Sequence, residues 1–300
     1  MKIQLLSDLH LETPKAYDIY EITPTAPCLA LLGDIGCICD PGYLTFLNAQ
    51  LKQFKIVFHV LGNHEPYGSS WGSVTAKLHK FQEKNQRQRV ANPGLGEYIL
   101  LDQNEHHLPE HNTTVLGCTL FSNIPQTSLK DVSFGLNDFF RIDSWTVEDH
   151  VSAHIRDLTW LNSRVTALFQ EEPGRKIIIF THHSPTLDLR TVNPRTAGNK
   201  TSSGFATDLS GEPCWIGENV VFWAYGHTHY NFPLWRDQDS GIFVYRNQRG
   251  YYFSQASGFA GTEAVNIGRD GKVTAEEWTD EPASPAILAP DPRRGDHGST

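Results

Sequence analysis

An α/β fold, with helices covering β-sheets, is what this 300-residue sequence predicts. Short apolar, often β-branched runs recur along the chain at strand length, and several gaps between them carry the apolar spacing of helices. Alternating strands and helices argue for sheets whose faces helices cover. A further observation, that five of the runs stop at Asp, Asn or His, bears on what such a fold would do.

In chain order, the first run, Lys2 to Leu6, ends in Ser7-Asp8-Leu9-His10. Cys28 to Leu32 ends at Gly33-Asp34, and a helical pattern from Gly42 to Phe54 follows. Lys55 to Val60 leads into Gly62-Asn63-His64-Glu65, and a second helical pattern covers Gly72 to Asn85. Thr114 to Thr119 reads as a strand; Val147 to Phe169 reads as a helix with Ile155, Leu158, Leu161, Val165 and Leu168 along its apolar positions. Lys176 to Phe180 ends in Thr181-His182-His183, and Val220 to Tyr225 stops at Gly226 and delivers His227 and His229. Ile242 to Tyr245 and Tyr251 to Ser254 are the last strand-like runs.

Two segments break the alternation. Ser184 to Trp215 is rich in Thr, Ser, Gly, Asn and Pro, with Arg190, Arg195 and Lys200 as its cations, and a loop of that length inside a compact domain is functional or disordered. From Thr279 onward Pro, Ala, Asp and Gly dominate without apolar periodicity. The expectation is one domain over 1–278 and a disordered tail over 279–300.

Composition narrows the function. A hydrophobic content of 39% and a charged content of 20% are globular values. A formal charge of −9 with no Lys/Arg run argues against nucleic-acid duplexes and anionic membranes as partners. No stretch reaches the roughly 20 apolar residues needed to span a bilayer, and no secretory pattern follows Met1. The five cysteines, Cys28, Cys37, Cys39, Cys118 and Cys214, have no disulfide-like spacing, so a reducing, cytoplasmic setting is expected. Cys37 and Cys39 lack a second Cys/His pair at zinc-finger spacing and read as small thiols.

Side chains at i and i+2 of an extended strand leave on one side, so Asp8 with His10, and His227 with His229, are expected to point together. A lone pair of histidines is more often buried and hydrogen-bonded than metal-binding. Here five separate strand ends carry such groups, and in open α/β sheets ligands bind at the carboxyl ends of the strands.

Taken together, Asp8-Leu9-His10, Gly33-Asp34, Gly62-Asn63-His64-Glu65, His182 and Gly226-His227-Thr228-His229 resemble, in order, the signature blocks of the calcineurin-like metallophosphoesterase family. The match is closest to a subgroup carrying LSDLHLE, GNHE, THH and GHTH blocks, and the stretch Gly135 to Ile142, with Asn137, Asp138 and Arg141, also resembles it. The resemblance implies a four-layer αββα sandwich of two mixed sheets, with a two-metal site at the strand ends. It implies that Asp8, His10, Asp34 and His229 hold one divalent or mixed-valence ion, that Asp34, Asn63, His182 and His227 hold the other, and that Asp34 bridges them. Oxygen and imidazole ligands without thiolate suit Mn, Fe, Zn or a similar ion. His182 is the favoured ligand of the adjacent pair; His183 would face the substrate or only cap its loop. Asn137 and the cations of the long loop are candidates for substrate contact.

Such a site would run a phosphoesterase. Two divalent ions outweigh Asp8, Asp34 and a bridging hydroxide, leaving a positive centre that attracts a phosphate to an acidic protein. They would bring the pKa of a bound water toward about 7 and offset charge on the attacking and leaving oxygens of an in-line displacement. The resemblance implies that His64 contacts the phosphoryl group or protonates the leaving oxygen; the bland alternative is that it braces the Asn63 turn. Glu65 would support His64 or orient ligands from behind.

The expected reaction is hydrolysis of a small-molecule phosphodiester, such as a cyclic nucleotide. Hydrolysis of a monoester, whether nucleotide, metabolite or phosphoprotein, is the alternative; Ile35-Gly36-Cys37 after Asp34 lacks the Arg of the protein-phosphatase block. A non-catalytic scaffold is the remaining reading, and it sits poorly with seven retained ligand positions. Metal identity, natural substrate and oligomeric state are not written in these motifs.

Overall fold

The computed structural model describes residues 1–194 and 198–275. The expected tail over 279–300 and the loop cation Arg195 lie outside the described residues.

Two six-stranded mixed sheets form the centre. In the first, β1 (Lys2–Leu6), β2 (Cys28–Leu32), β3 (Ile56–Val60) and β4 (Glu97–Leu100) run parallel in that spatial order. On the other side of β1, β13 (Ala264–Ile267) and then β14 (Val273–Ala275) add antiparallel. In the second sheet β6 (Thr113–Cys118), β7 (Lys176–Thr181), β8 (Val220–Ala224) and β10 (Phe243–Tyr245) are parallel. The antiparallel edges are β5 (Asn104–Leu108) and the short β9 (Trp235–Arg236). A separate hairpin, β11 (Gly250–Tyr251) and β12 (Ser254–Gln255), pairs only within itself.

Strand alternation sorts the side chains into layers. On β2, Ala30 and Leu32 join Ile3, Leu5, Phe58, Phe180 and Phe222 in the core between the sheets, whereas Leu29 and Leu31 face the opposite way. There they meet α1 (Gly42–Gln50) and α2 (Trp71–Ala91) through Phe46, Leu47, Val74 and Leu78. The outer face of the second sheet packs Ile177, Ile179 and Trp223 against Leu161, Val165 and Leu168 of α5 (Val147–Glu171) and Trp215 of α6 (Pro213–Ile216). The order is helix, sheet, sheet, helix, as the family resemblance implied, and strands buried on both faces explain why β2 and β8 read as unbroken apolar runs.

Two shorter helices, α3 (Leu129–Gly135) and α4 (Asp138–Arg141), lie between β6 and α5. One expectation fails here: Tyr251 to Ser254 is not a strand but spans the turn of the hairpin, with Tyr252 and Phe253 exposed at its tip. Among its described residues the long 184–215 segment holds a 3-10 turn, Ser202–Gly204, ahead of α6.

Candidate metal centre

The strand ends β1, β2, β3, β7 and β8 converge at the edge shared by both sheets, and each extended chain stops before its chemistry begins. Strand β1 ends at Leu6 and β8 at Ala224, and Asp8, His10, Asp34, His227 and His229 all take left-handed backbone conformations, with φ of 54°, 46°, 53°, 71° and 46°. Non-glycine residues rarely sit there, and such outliers cluster at functional sites.

Asp8 and His10 do come together as expected, but for the last block the i and i+2 argument fails. His227 and His229 do not point together: His229 joins Asp8 and His10, while His227 joins Asp34 and His182. In each group the ligand-type atoms lie within 4.8 Å of one another. His229 Nε2 is 2.9 Å from His10 Nε2 and 3.2 Å from Asp8 Oδ1. Asp34 stands between the groups, with Oδ1 3.5 Å from His182 Nε2 and Oδ2 3.9 Å from both His10 Nε2 and His64 Nε2. Asn63 Oδ1 is 3.1 Å from His182 Nε2.

Glycine makes this closeness possible at two turns. A Cβ on Gly33, at φ 86°, would fall 2.4 Å from His182 Nδ1, and one on Gly62 would fall 2.2 Å from Asp34 Oδ1. The glycines of the G-D and G-N-H-E blocks are therefore part of the packing around the ligands.

Hydrogen bonds aim the imidazoles. His182 Nδ1 donates to Leu32 O at 2.8 Å, and His10 Nδ1 meets Glu12 Oε1 at 3.1 Å, which leaves each Nε2 turned inward. His227 Nε2 is buried with no hydrogen-bond partner among the described residues. Buried ring nitrogens and carboxylate oxygens crowded within a few ångströms of one another fit a cation, and carboxylate, amide and imidazole ligands suit a divalent ion.

Carboxylates shape the field. Burial pushes Asp34 up, but His182 and His64 outweigh it and hold the carboxyl well below its usual range. Burial likewise opposes ionised Glu12, yet His10 and His64 bring it down to about 2. For His64, burial disfavours the charge, while Asp34 and Glu12 raise it to about 9.

His64 faces a cavity of about 700 Å³ that opens onto the centre and that Asn137 also lines. Its Nδ1 is 2.8 Å from Glu12 Oε1, and its ring lies 4.2 Å from that of Tyr67. Glu65 does not touch it. Instead Glu65 accepts from the backbone N–H groups of Asp34, Ile35 and Gly62 and from Tyr43 Oη, tying the second and third blocks together.

His183 does not face the substrate side. It is fully buried behind His227, ring centroids 4.1 Å apart, with neither ring nitrogen partnered among the described residues. Burial and the neighbouring His227 and His182 keep it neutral, well below its usual range. Sequence reasoning noted Asp138 within a resembling stretch but gave it no role; it accepts from Asn63 Nδ2 at 2.7 Å and Tyr67 Oη at 2.5 Å and so fixes the Asn63 amide. It also gave Glu12 no role, although Glu12 sits two residues past His10 inside a quoted block.

The calcineurin-like phosphoesterase family model matches residues 1–231, a span that contains every residue of the centre. The chain belongs to that family. As a calcineurin-like phosphoesterase it is a metal-dependent hydrolase of phosphoric esters, and its His/Asp clusters are where metal ions could be held. It is 27% identical over 267 residues to the uncharacterized protein L509 of Acanthamoeba polyphaga mimivirus, covering 83% of this chain and 91% of that protein. Among solved structures it is similar to the phosphopantetheinyl hydrolase of Mycobacterium tuberculosis, with a TM-score of 0.58 and 16% identity over 83% of this chain and 89% of the other. At that identity the likeness speaks to the fold. No helix among the described residues is long and apolar enough to cross a membrane.

Proposed function

We propose that this calcineurin-like phosphoesterase hydrolyses a phosphodiester of a small molecule, using two metal ions. Asp8, His10, Asp34 and His229 would hold one ion, and Asp34, Asn63, His182 and His227 the other. The position of Asp34 supports this, since each of its oxygens faces a different set of imidazoles. When bound, the ions supply Lewis acidity and a more acidic coordinated water.

The observation that carries the diester reading is the cavity. It extends from the centre past Asn137 and Leu136 on one side and past Tyr230 and Tyr251 on the other, with about 700 Å³ of room. That leaves space for an organic group on each side of a phosphate held at the centre. The described residues of its wall carry amides, hydroxyls, aromatic rings, imidazoles and the carboxylates of Asp34 and Asp138 but no Lys or Arg, which suits a singly charged diester better than a dianionic monoester. His64, braced by Glu12, stands at the cavity floor where it can give a proton to the leaving oxygen or bind the phosphoryl group.

Elemental analysis of the purified protein, followed by rates on bis(p-nitrophenyl) phosphate and p-nitrophenyl phosphate, tests the proposal. Two ions per chain and a higher kcat/KM on the diester are expected. Preference for the monoester would make the protein a phosphomonoesterase, and metal-loaded protein inert on both would leave it a binding scaffold.

A further inference from the structure

We propose that Tyr251 is a further substrate-contacting residue, its phenol hydroxyl donating a hydrogen bond to a phosphoryl oxygen beside His64. The proposal rests on the reading of this centre as a phosphoesterase site, and it names a group that lies beyond the 1–231 family match.

The β11–β12 hairpin is built onto the first strand end. Arg249 N donates to Ser7 O at 3.0 Å, and the buried Arg249 side chain donates from Nη1 to Leu9 O at 2.8 Å with its guanidinium 4.7 Å from the Tyr20 ring. Ser7 and Leu9 flank Asp8, so the hairpin is referenced to the same turn that presents Asp8 and His10. At its base Ala256 N donates to Arg249 O, and glycine suits position 250, where φ is 75° and a Cβ would sit only 3.0 Å from Ala256 N and 3.1 Å from Ser254 O.

Of the three aromatics on this hairpin, Phe253 stands in solvent at 85% exposure, whereas Tyr252 and Tyr251 are 47% and 42% exposed. Tyr251 is the one whose ring packs on the centre while its other face stays open to solvent. Its ring lies 4.2 Å from His10, 4.8 Å from His229 and 5.9 Å from His64, centroid to centroid, and it lines the cavity.

A tyrosine used only as an apolar wall would need no hydroxyl, and phenylalanine would serve. Here the hydroxyl lies 3.4 Å from His64 Nε2, long against the roughly 2.7 to 3.0 Å of a good bond from a hydroxyl. The donor is aimed into the site but poorly used there. An anionic phosphoryl oxygen arriving between Tyr251 and His64 would give both groups a closer acceptor, and hydrogen bonds to charged partners are the stronger ones.

The test uses metal-loaded full-length protein, Tyr251→Phe and Tyr251→Leu. Metal content is measured by elemental analysis, affinity for inorganic phosphate by calorimetry, and kcat/KM on bis(p-nitrophenyl) phosphate. Tyr251→Phe is expected to keep its metals and melting temperature while phosphate affinity and kcat/KM each fall about 10- to 100-fold, the loss typical of a hydrogen bond to a charged group. Tyr251→Leu should lose at least as much. Unchanged phosphate affinity and kcat/KM in Tyr251→Phe would overturn the proposal, and loss of metal would assign Tyr251 to the ligand shell instead. Because phosphate binding is read independently of turnover, a wild type inactive on every ester would count against the hydrolase reading without masking what the hydroxyl does.

Discussion

Asp34 concentrates the chemistry of the site in one side chain. Its two oxygens face different imidazole sets, and its backbone N–H is held by Glu65, so neither end can move alone. Asp34→Asn halves the ligand capacity and removes the charge; elemental analysis should then find both ions depleted, and two tightly held ions with full activity would refute the bridging role. His64 is adjacent to Asn63, yet it is braced by Glu12 toward the cavity rather than toward the ligand turn. His64→Ala is expected to retain metal and lower turnover by about 10²- to 10⁴-fold, the usual range for a proton-transferring group. The loss should be larger for an alkyl than for an aryl leaving group; equal losses on both would mean that His64 positions phosphate instead of donating a proton. The proposed ligand residues were legible in the sequence because each stands at the end of an apolar run, and residue type plus order is enough to flag them. Tyr251 was not legible, because it follows no such run and reaches the site only through a hairpin anchored by Arg249 on a segment distant in sequence.

Among the elements, the strands read most easily were those with the least ambiguous burial. Strands β2 and β8 pack apolar side chains on both faces, so their sequences are continuously apolar, and β1 and β7 depart from that only at Lys2, Gln4, Lys176 and Thr181. Strand β5, Asn104-Glu105-His106-His107-Leu108, lies at a sheet edge with mostly half-buried polar side chains, and no apolar pattern announces it. The paired histidines of the last block were read with strand periodicity, but the strand had already ended; left-handed turns sent them to different clusters. Two histidines outside the centre show a further property of the elements. On β3, His59 is fully buried between Tyr43 Oη and Tyr98 Oη; on α5, His150 Nε2 accepts from Ser122 N. Burial takes each down to about 3 from an ordinary 6.5, with His154 adding to the effect at His150. The folded chain therefore binds fewer protons than the unfolded chain between those values. The destabilisation from these two histidines should be absent above pH 6.5 and grow as pH drops from 6.5 toward 3, each adding a slope approaching about 1.4 kcal/mol per pH unit. Denaturant unfolding at stepped pH in chelator checks this, and His59→Phe or His150→Phe should flatten the curve.

At the scale of the whole molecule, the centre draws on both sheets. Asp8, His10, Asp34 and Asn63 follow strands of the first, while His182, His227 and His229 follow strands of the second. A cation bound there cross-links the two halves of the sandwich and has no equivalent site in the unfolded chain, so binding adds to folding stability by mass action. Chelation should lower the melting temperature measured by calorimetry, with readdition of metal restoring it in a concentration-dependent way. A melting temperature indifferent to metal removal would show that the interlayer core of Ile3, Phe58, Phe180 and Phe222 holds the sheets in register unaided. The layered architecture was visible in the motifs because they arrive in family order; the supporting contacts of Asp138 and Glu65 were not, since they join turns far apart in the chain.

The left-handed backbone at His10, His227 and His229 carries an implication for laboratory evolution. Glycine occupies that conformation without the steric penalty that any other side chain meets there. At buried His10 and His227 a glycine would also leave a void, so a selection for heat resistance run on chelated protein would enrich glycine first at the more exposed His229, yielding variants that have given up a metal-facing imidazole. The same library selected with metal present would hold the histidines fixed, so the bath in which variants are screened decides whether robustness and catalysis rise together or part.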